Sequence, residues 1–260
     1  MAIKIVIANQ KGGTGKTTTV LNLGAALAEK GKHVLLVDLD PQANLSMGLG
    51  CRLDEGEPSI YQAMLSPDVS IRDILFRDTG IDGVHLAPAS IDLTAAELQL
   101  VMELNRERVL AVALEEVDPD YDFILIDCPP SLGLLTLNGM TAANQLIVPV
   151  QCGFWALRGM GQLFDTVERV RASKVNPALE LLGILLTMYD RRTSLSQQIE
   201  QRVIEAFGDK VFKARIMKTV RFDYSSIEEQ SILQYDPTSE VAQAYRSVAE
   251  EVLERNAQKA

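Results

Sequence analysis

Asn9-Gln10-Lys11-Gly12-Gly13-Thr14-Gly15-Lys16-Thr17-Thr18 packs three glycines and two lysines into ten positions. Glycines this close let successive backbone N–H groups converge on one anion, so the stretch reads as a phosphate cradle. Lys16 is placed to reach β- and γ-phosphates, and the Thr17 hydroxyl to ligate Mg²⁺ directly. Gly12, Gly13, Thr14, Gly15 and Thr18 complete the residues expected against a nucleoside triphosphate. Three acids stand in related positions: Asp38 and Asp40 in Val37-Asp38-Leu39-Asp40-Pro41-Gln42, and Asp127 closing Ile124-Leu125-Ile126-Asp127. Mg²⁺ keeps several of its waters, so an acid ending an apolar strand, as Asp127 does, is expected to hold the ion through water. The bland alternative for Asp38 and Asp40 is a proline turn with solvated acids.

These residues need elements to carry them. Apolar, β-branched runs recur at 3–8, 34–37, 84–87, 123–126, 146–150 and 181–187, with helical periodicity between most of them. Runs with little alternation read as strands covered on both faces, and strands alternating with helices read as a doubly wound, mostly parallel α/β sheet with helices on both faces. In such a sheet ligands bind beyond the carboxyl ends of the strands. The loops 12–17, 38–44 and 127–131 each follow a strand and are expected to meet there. The stretch 54–81 is the least readable, with Pro58 and Pro67 bounding short helices.

The 260 residues are expected to form one domain, 1–260, with 47% apolar residues to fill its core. Cys51, Cys128 and Cys152 lack C-x-x-C spacing, and neither a secretory h-region nor an apolar run of membrane-spanning length is present, so a soluble protein of a reducing cytoplasm is expected. A formal net charge of −10 opposes nucleic acid at long range. Locally the balance reverses: Lys210, Lys213, Arg215, Lys218 and Arg221 fall in twelve residues with no acid among them.

Gln10 stands where the general G-x-x-x-x-G-K-[ST] loop has its first glycine, and Lys11-Gly12-Gly13 follows. In this the chain resembles the deviant Walker A ATPases, most closely the short ParA/Soj partition proteins with their K-G-G-x-G-K-[ST] signature. The resemblance implies a P-loop NTPase fold, ATP and Mg²⁺, and a sandwich homodimer in which Lys11 reaches the phosphates of the other subunit's nucleotide; the alternative for Lys11 is an exposed loop lysine. It implies that Asp40, in a D-x-D-P-Q switch segment, orients or deprotonates the attacking water, that Asp38 lies in the metal's outer shell, and that Asp127 is the Walker B acid. Lys11, Lys16 and Asp40 are thus the catalytic set. Pro149-Val150-Gln151-Cys152 continues the likeness, although Gly153 and Arg158 stand where many relatives carry acids. Trp155 reads as a packing residue at the dimer face, and Cys128 as a small buried hydrophobe.

The segment 186–193 resembles the family's T-x-x-D-x-R-T, with Met188 a candidate neighbour of adenine. By the same likeness Arg192 and Arg221 are the DNA-contacting arginines, with Lys213, Arg215 and Lys218 between them in one stripe that touches phosphates of non-specific duplex. Two segments depart from the family: Ile216-Met217-Lys218-Thr219 lacks the usual proline, and 222–229 differs from the usual S-E-A-P-S. The resemblance further implies a ParB-like partner with a basic segment, a nucleoid location in the cytoplasm and a cargo to be segregated or positioned; with the first strand beginning within three residues of the start, unlike in longer relatives, no N-terminal operator-binding domain is expected. The alternative is a MinD-like membrane-positioning ATPase, which the tail 254–260, lacking large apolar residues, does not favour. An iron–sulfur reductase would need cysteines in a C-G-G setting, and an inert scaffold would not need Asp40 and Asp127.

Overall fold

The computed structural model of the chain describes residues 1–54, 56–153 and 156–258, the side chains of 156–159 apart. In chain order its elements are β1 Ile3–Ile7, α1 Lys16–Glu29, β2 Val34–Asp38, α2 Asn44–Met47, α3 Ile60–Leu65, β3 Val84–Ala87, α4 Leu93–Leu100, α5 Val109–Leu114 and β4 Phe123–Asp127. There follow α6 Leu134–Ala142, β5 Gln145–Gln151, α7 Ala156–Ala172, β6 Glu180–Tyr189, α8 Ser194–Phe207, β7 Val211–Met217, α9 Arg221–Ile227, α10 Ile232–Tyr235 and α11 Glu240–Ala257.

The seven strands form one sheet in the order β3-β2-β4-β1-β5-β6-β7, and all their pairings are parallel. Parallel neighbours need crossovers, so helices cover both faces. The two-residue side-chain period sorts the core accordingly: Ile5 and Ile7 pack with α1, α10 and α11, whereas Val6 packs with α3 to α8. Strands β2 and β4 are buried along their whole length, which is why they read as unbroken apolar runs. After β4 the chain crosses β1 to reach β5, so connections fan to opposite sides of β1 and a crevice opens beyond its carboxyl end.

Six strands coincide with the apolar runs to within a few residues. The seventh was hidden. Val211–Met217 lies inside the basic window 210–221, where Phe212, Ala214 and Ile216 face the α11 core at alternate positions while Lys213 and Arg215 take the other side. As an edge strand it would offer unpaired N–H groups; Glu251 of α11 accepts from Lys213 N at 2.8 Å and Ala214 N at 3.2 Å and covers them. In the unreadable stretch, α3 starts at a Ser59–Gln62 capping box, and Phe76 bridges antiparallel to Leu86.

Candidate nucleotide site and basic cluster

The loop after β1 has the geometry its glycines promise. Gly13 and Gly15 sit at φ +68° and +82°, a region that strains any side chain, and α1 springs directly from Gly15. Helix α1 carries no acid in its first turn, so its free N–H groups and dipole face an incoming anion unopposed. The loop is tied to two strands. Asn9 Nδ2 donates to the Pro149 carbonyl at 2.7 Å while its Oδ1 accepts from Lys11 N at 3.0 Å. Thr187 Oγ1 on β6 donates to the Thr14 carbonyl at 2.8 Å. Lys16 is buried and makes no ion pair among the described residues.

Parallel register sets the acids side by side. Asp38 ends β2, Asp127 ends β4, and the two are direct register partners, with Ile7 of β1 opposite Asp127. Both are fully buried. Asp38 accepts from Ser46 Oγ at 2.7 Å, Ser46 N at 3.0 Å and Asp40 N at 3.1 Å, so its carboxylate braces the whole loop from Asp40 to α2. Burial nevertheless pushes it up to about 6, with the charge of Asp40 adding to that effect against the lowering by Ser46 and Asp40 N–H.

Asp127 is different: neither carboxylate oxygen has a hydrogen-bond partner of ordinary geometry. Burial, and then the Asp38 charge, hold it well above the usual carboxylate range, although the nearby Thr17 hydroxyl and Lys16 pull it down. An orphaned carboxylate beside a hydroxyl, at the edge of a phosphate cradle, is the donor set a hard divalent cation takes, and Asp127 and Thr17 fit Mg²⁺.

Gly12 to Thr18, Asp40, Gln42, Pro130 and Met188 line one cavity of about 680 Å³, of a size to hold a nucleotide. Asp40 Oδ1 is engaged by Gln42 N at 3.0 Å. Met188 enters at φ +49°, an uncommon conformation for a side chain of its size. Lys11 does not line this cavity; its Nζ donates to Gln151 Oε1 at 2.8 Å, at the end of β5. Cys128 is buried under α6, with burial raising its thiol far above the ordinary range. Trp155 falls outside the described residues.

The basic stripe is brought together only in part. Arg192, Lys218 and Arg221 line a second cavity of about 700 Å³ with Arg191. Each guanidinium there has a partner in its own chain: Arg191 with Glu240, Arg192 with Asp190 at 2.9 Å, and Arg221 with Asp236. Lys213 is exposed on β7. Arg215, expected in the stripe, is the most engaged of its residues. Its Nε donates to Glu200 Oε1 at 2.7 Å and its Nη1 to the carbonyls of Phe212, Lys213 and Ala214, so its charge is spent on closing α8 against the sheet edge.

Asn9, Ser46 and Thr187, which hold the loops in place, were assigned no role from the sequence. Their signal is weak, since a polar residue beside a phosphate loop is ordinary and only the fold reveals a partner 140 or 173 positions away.

A family model described as an AAA domain matches residues 2–181. The sporulation initiation inhibitor protein Soj of Bacillus subtilis is 46% identical over 248 residues, covering 95% of this chain and 97% of that one. The chromosome partitioning protein ParA of Caulobacter vibrioides is 45% identical over 253 residues, covering 96% and 94%. Among solved structures, a Mycobacterium smegmatis protein described as cobyrinic acid a,c-diamide synthase, with bound ADP and magnesium, superposes at a TM-score of 0.86 with 42% identity, covering 100% of this chain and 97% of that one.

Proposed function

The chain belongs to the ParA/Soj family of P-loop partition ATPases, and from that premise we propose that ATP closes two copies into a sandwich dimer that binds duplex DNA without sequence preference. Hydrolysis, speeded by a ParB-like adaptor with a basic segment, releases it, and the cycle positions a cargo on the nucleoid in the cytoplasm. Each copy is one domain, 1–260. Lys11 carries this reading. Its neighbour Gly12 lines the cavity, yet the Lys11 amine is turned out to Gln151 on the carboxyl edge of the sheet, where a second copy's phosphates would meet it.

The chemistry follows from the residues around the cavity. Backbone N–H groups of Gly12 to Gly15 and the buried Lys16 hold the β- and γ-phosphates, and Lys11 of the second copy adds a charge as negative charge develops. Thr17 directly, and Asp127 through water, would hold Mg²⁺, which when bound neutralises charge on the β- and γ-phosphate oxygens. Asp40, fixed at the tip of a loop braced by Asp38 and Ser46, accepts a hydrogen bond from the attacking water and takes its proton as the water oxygen bonds to the γ-phosphorus. The bond from that phosphorus to the β–γ bridging oxygen breaks, leaving ADP and phosphate. Pro130, against Gly12, places the loop after β4 where γ-phosphate is gained or lost.

Arg192, Lys218, Arg221 and Lys213 supply the DNA surface, with Met188 beside the base in the nucleotide cavity. A dimer doubles the cationic contacts, and each neutralised phosphate steepens the salt dependence, so an acidic monomer that ignores DNA is compatible with a dimer that coats it. The membrane alternative lacks support: α11 spends Val241, Tyr245, Val248 and Val252 on the core, and no helix of the described residues is long and apolar enough to cross a membrane. Binding to random-sequence duplex with no nucleotide, ADP and ATP at two salt concentrations tests the proposal. Tight, salt-sensitive binding with ATP alone is expected, and equal binding with ADP and ATP would sink it.

A further inference from the structure

Beside the phosphate cradle, the nucleotide cavity is walled by two stretches far apart in sequence: the turn that follows α2 and the turn that ends α9. Arg52 from the first and Glu229 from the second both line it, and Arg52 Nη2 meets Glu229 Oε1 at 2.5 Å. The side chains are 78% and 38% exposed, so the pair lines the cavity while facing solvent. The backbone on both sides is shaped around it. Glu229 sits at φ +55°, which a side chain of its length rarely adopts. Gly50, at φ +73°, leaves the space a Cβ would take 2.9 Å from Glu229 Oε2. Strain of this kind persists where the surrounding structure requires it, and it clusters at ligand clamps.

The turn carrying Arg52 is not an independent loop. Asp38 holds Ser46 through both its N–H and its hydroxyl, and the Ser46 hydroxyl in turn accepts from Ala89 N at 3.0 Å. The chain from Asp38 through Asp40 and α2 to the Cys51 N–H, which donates to the Ser46 carbonyl at 3.0 Å, is therefore one braced piece, with the hydrolytic acid at one end and Arg52 just past the other.

We infer that Arg52 and Glu229 form a latch across the mouth of the nucleotide cavity, one that must part whenever a nucleotide enters or leaves and that sets how long ADP stays after hydrolysis. The inference rests on the nucleotide-site reading above, and it needs neither DNA binding nor dimerisation.

The test is stopped-flow binding and release of ADP bearing a ribose-linked fluorophore, with Mg²⁺, on the full chain. The proteins are wild type, Arg52→Ala, Glu229→Gln and the charge-swapped double variant Arg52→Glu with Glu229→Arg, each checked for unchanged thermal unfolding. Both association and dissociation rates should rise together by roughly two- to fivefold in the two single variants, the range open to an exposed ion pair. The swapped pair should return both toward wild type. Unchanged rates, a swap no better than either single charge variant, or faster dissociation with unaltered association would overturn the latch, the last because it marks a lost contact to the nucleotide rather than an opened mouth. A wild-type chain that binds no labelled ADP would bring down the nucleotide site itself, and the latch with it.

Discussion

The phosphate-binding end of the nucleotide cavity and the basic cavity hold charged groups in opposite conditions. At the first, Lys16 and Asp127 are buried and lack ordinary hydrogen-bond or ion-pair partners among the described residues, and Asp127 is driven toward protonation by its surroundings. At the second, Arg191, Arg192 and Arg221 are exposed and each already holds a carboxylate of its own chain. Desolvated, unpaired charge is costly and makes a site that gains strongly from its ligand. Exposed charge in ready-made pairs gains little, because phosphate only replaces carboxylate in high dielectric. Such a contrast suits a protein whose nucleotide stays bound while its grip on a polyanion is made and released.

The largest effect expected belongs to the first cavity. Asp40→Ala should lower ATP turnover by about 10²- to 10⁴-fold, the usual contribution of a positioned general base, while leaving ATP-dependent dimerisation intact by light scattering. If turnover survives, the water is positioned by another group. Next comes Lys11→Ala. Charge-assisted hydrogen bonds contribute about 1.5–3 kcal/mol each, and a symmetric dimer has this contact twice, so ATP-dependent dimerisation should weaken by roughly 10²- to 10⁴-fold. A full-strength dimer in this variant would return Lys11 to the status of an exposed loop lysine and remove the observation on which the proposed function stands.

Why one cavity was legible in the sequence and the other only partly so follows from the same contrast. Phosphate chemistry demands particular residue types at fixed spacing, so Gly12 to Thr17 and the strand-ending Asp127 announce themselves, and strands buried on both faces announce the sheet. The basic cluster is assembled from pairings 2 to 49 positions apart, and none of them carries a mark that the sequence alone displays. Arg215 and Glu200 stand on different elements, and only the docking of α8 on β7 brings them into an ion pair. The β7 strand is different: Phe212-Lys213-Ala214-Arg215-Ile216 does show the period-two alternation of a half-buried strand, but over so few residues that the window reads first as a run of positive charge. Asp190, two residues before Arg192, was in plain view, yet only the folded turn shows its carboxylate taking Arg192 by both Nε and Nη2.

Reversing charge in the second cavity should act on DNA alone. Arg192→Glu with Arg221→Glu places four altered positions in a dimer, and the dependence of log affinity on log salt should become shallower by about 3.6 if each had met one phosphate. Dimerisation and basal turnover should stay at wild-type values. A variant that still binds duplex with the original salt slope would move the DNA surface elsewhere, with Lys213 and Lys218 the first to examine.

The smallest effect is the most discriminating. Arg221 is held by Asp236, and Asp236→Asn removes the competing charge without removing the hydrogen-bonding shape. If DNA phosphate has to displace that carboxylate, affinity for duplex in the ATP state should rise, by at most about thirtyfold, since the dimer has two such pairs, each worth no more than roughly 1 kcal/mol. Because the carboxylate acts by charge, the gain should shrink as salt is raised toward about 1 M, where the screening length falls to roughly 3 Å. A loss of affinity would mean instead that Asp236 positions Arg221 for DNA, making the pair a built contact and not a guard. That outcome would overturn the contrast between the two cavities, because the exposed arginines would then be as preorganised for their ligand as the buried lysine is for its own.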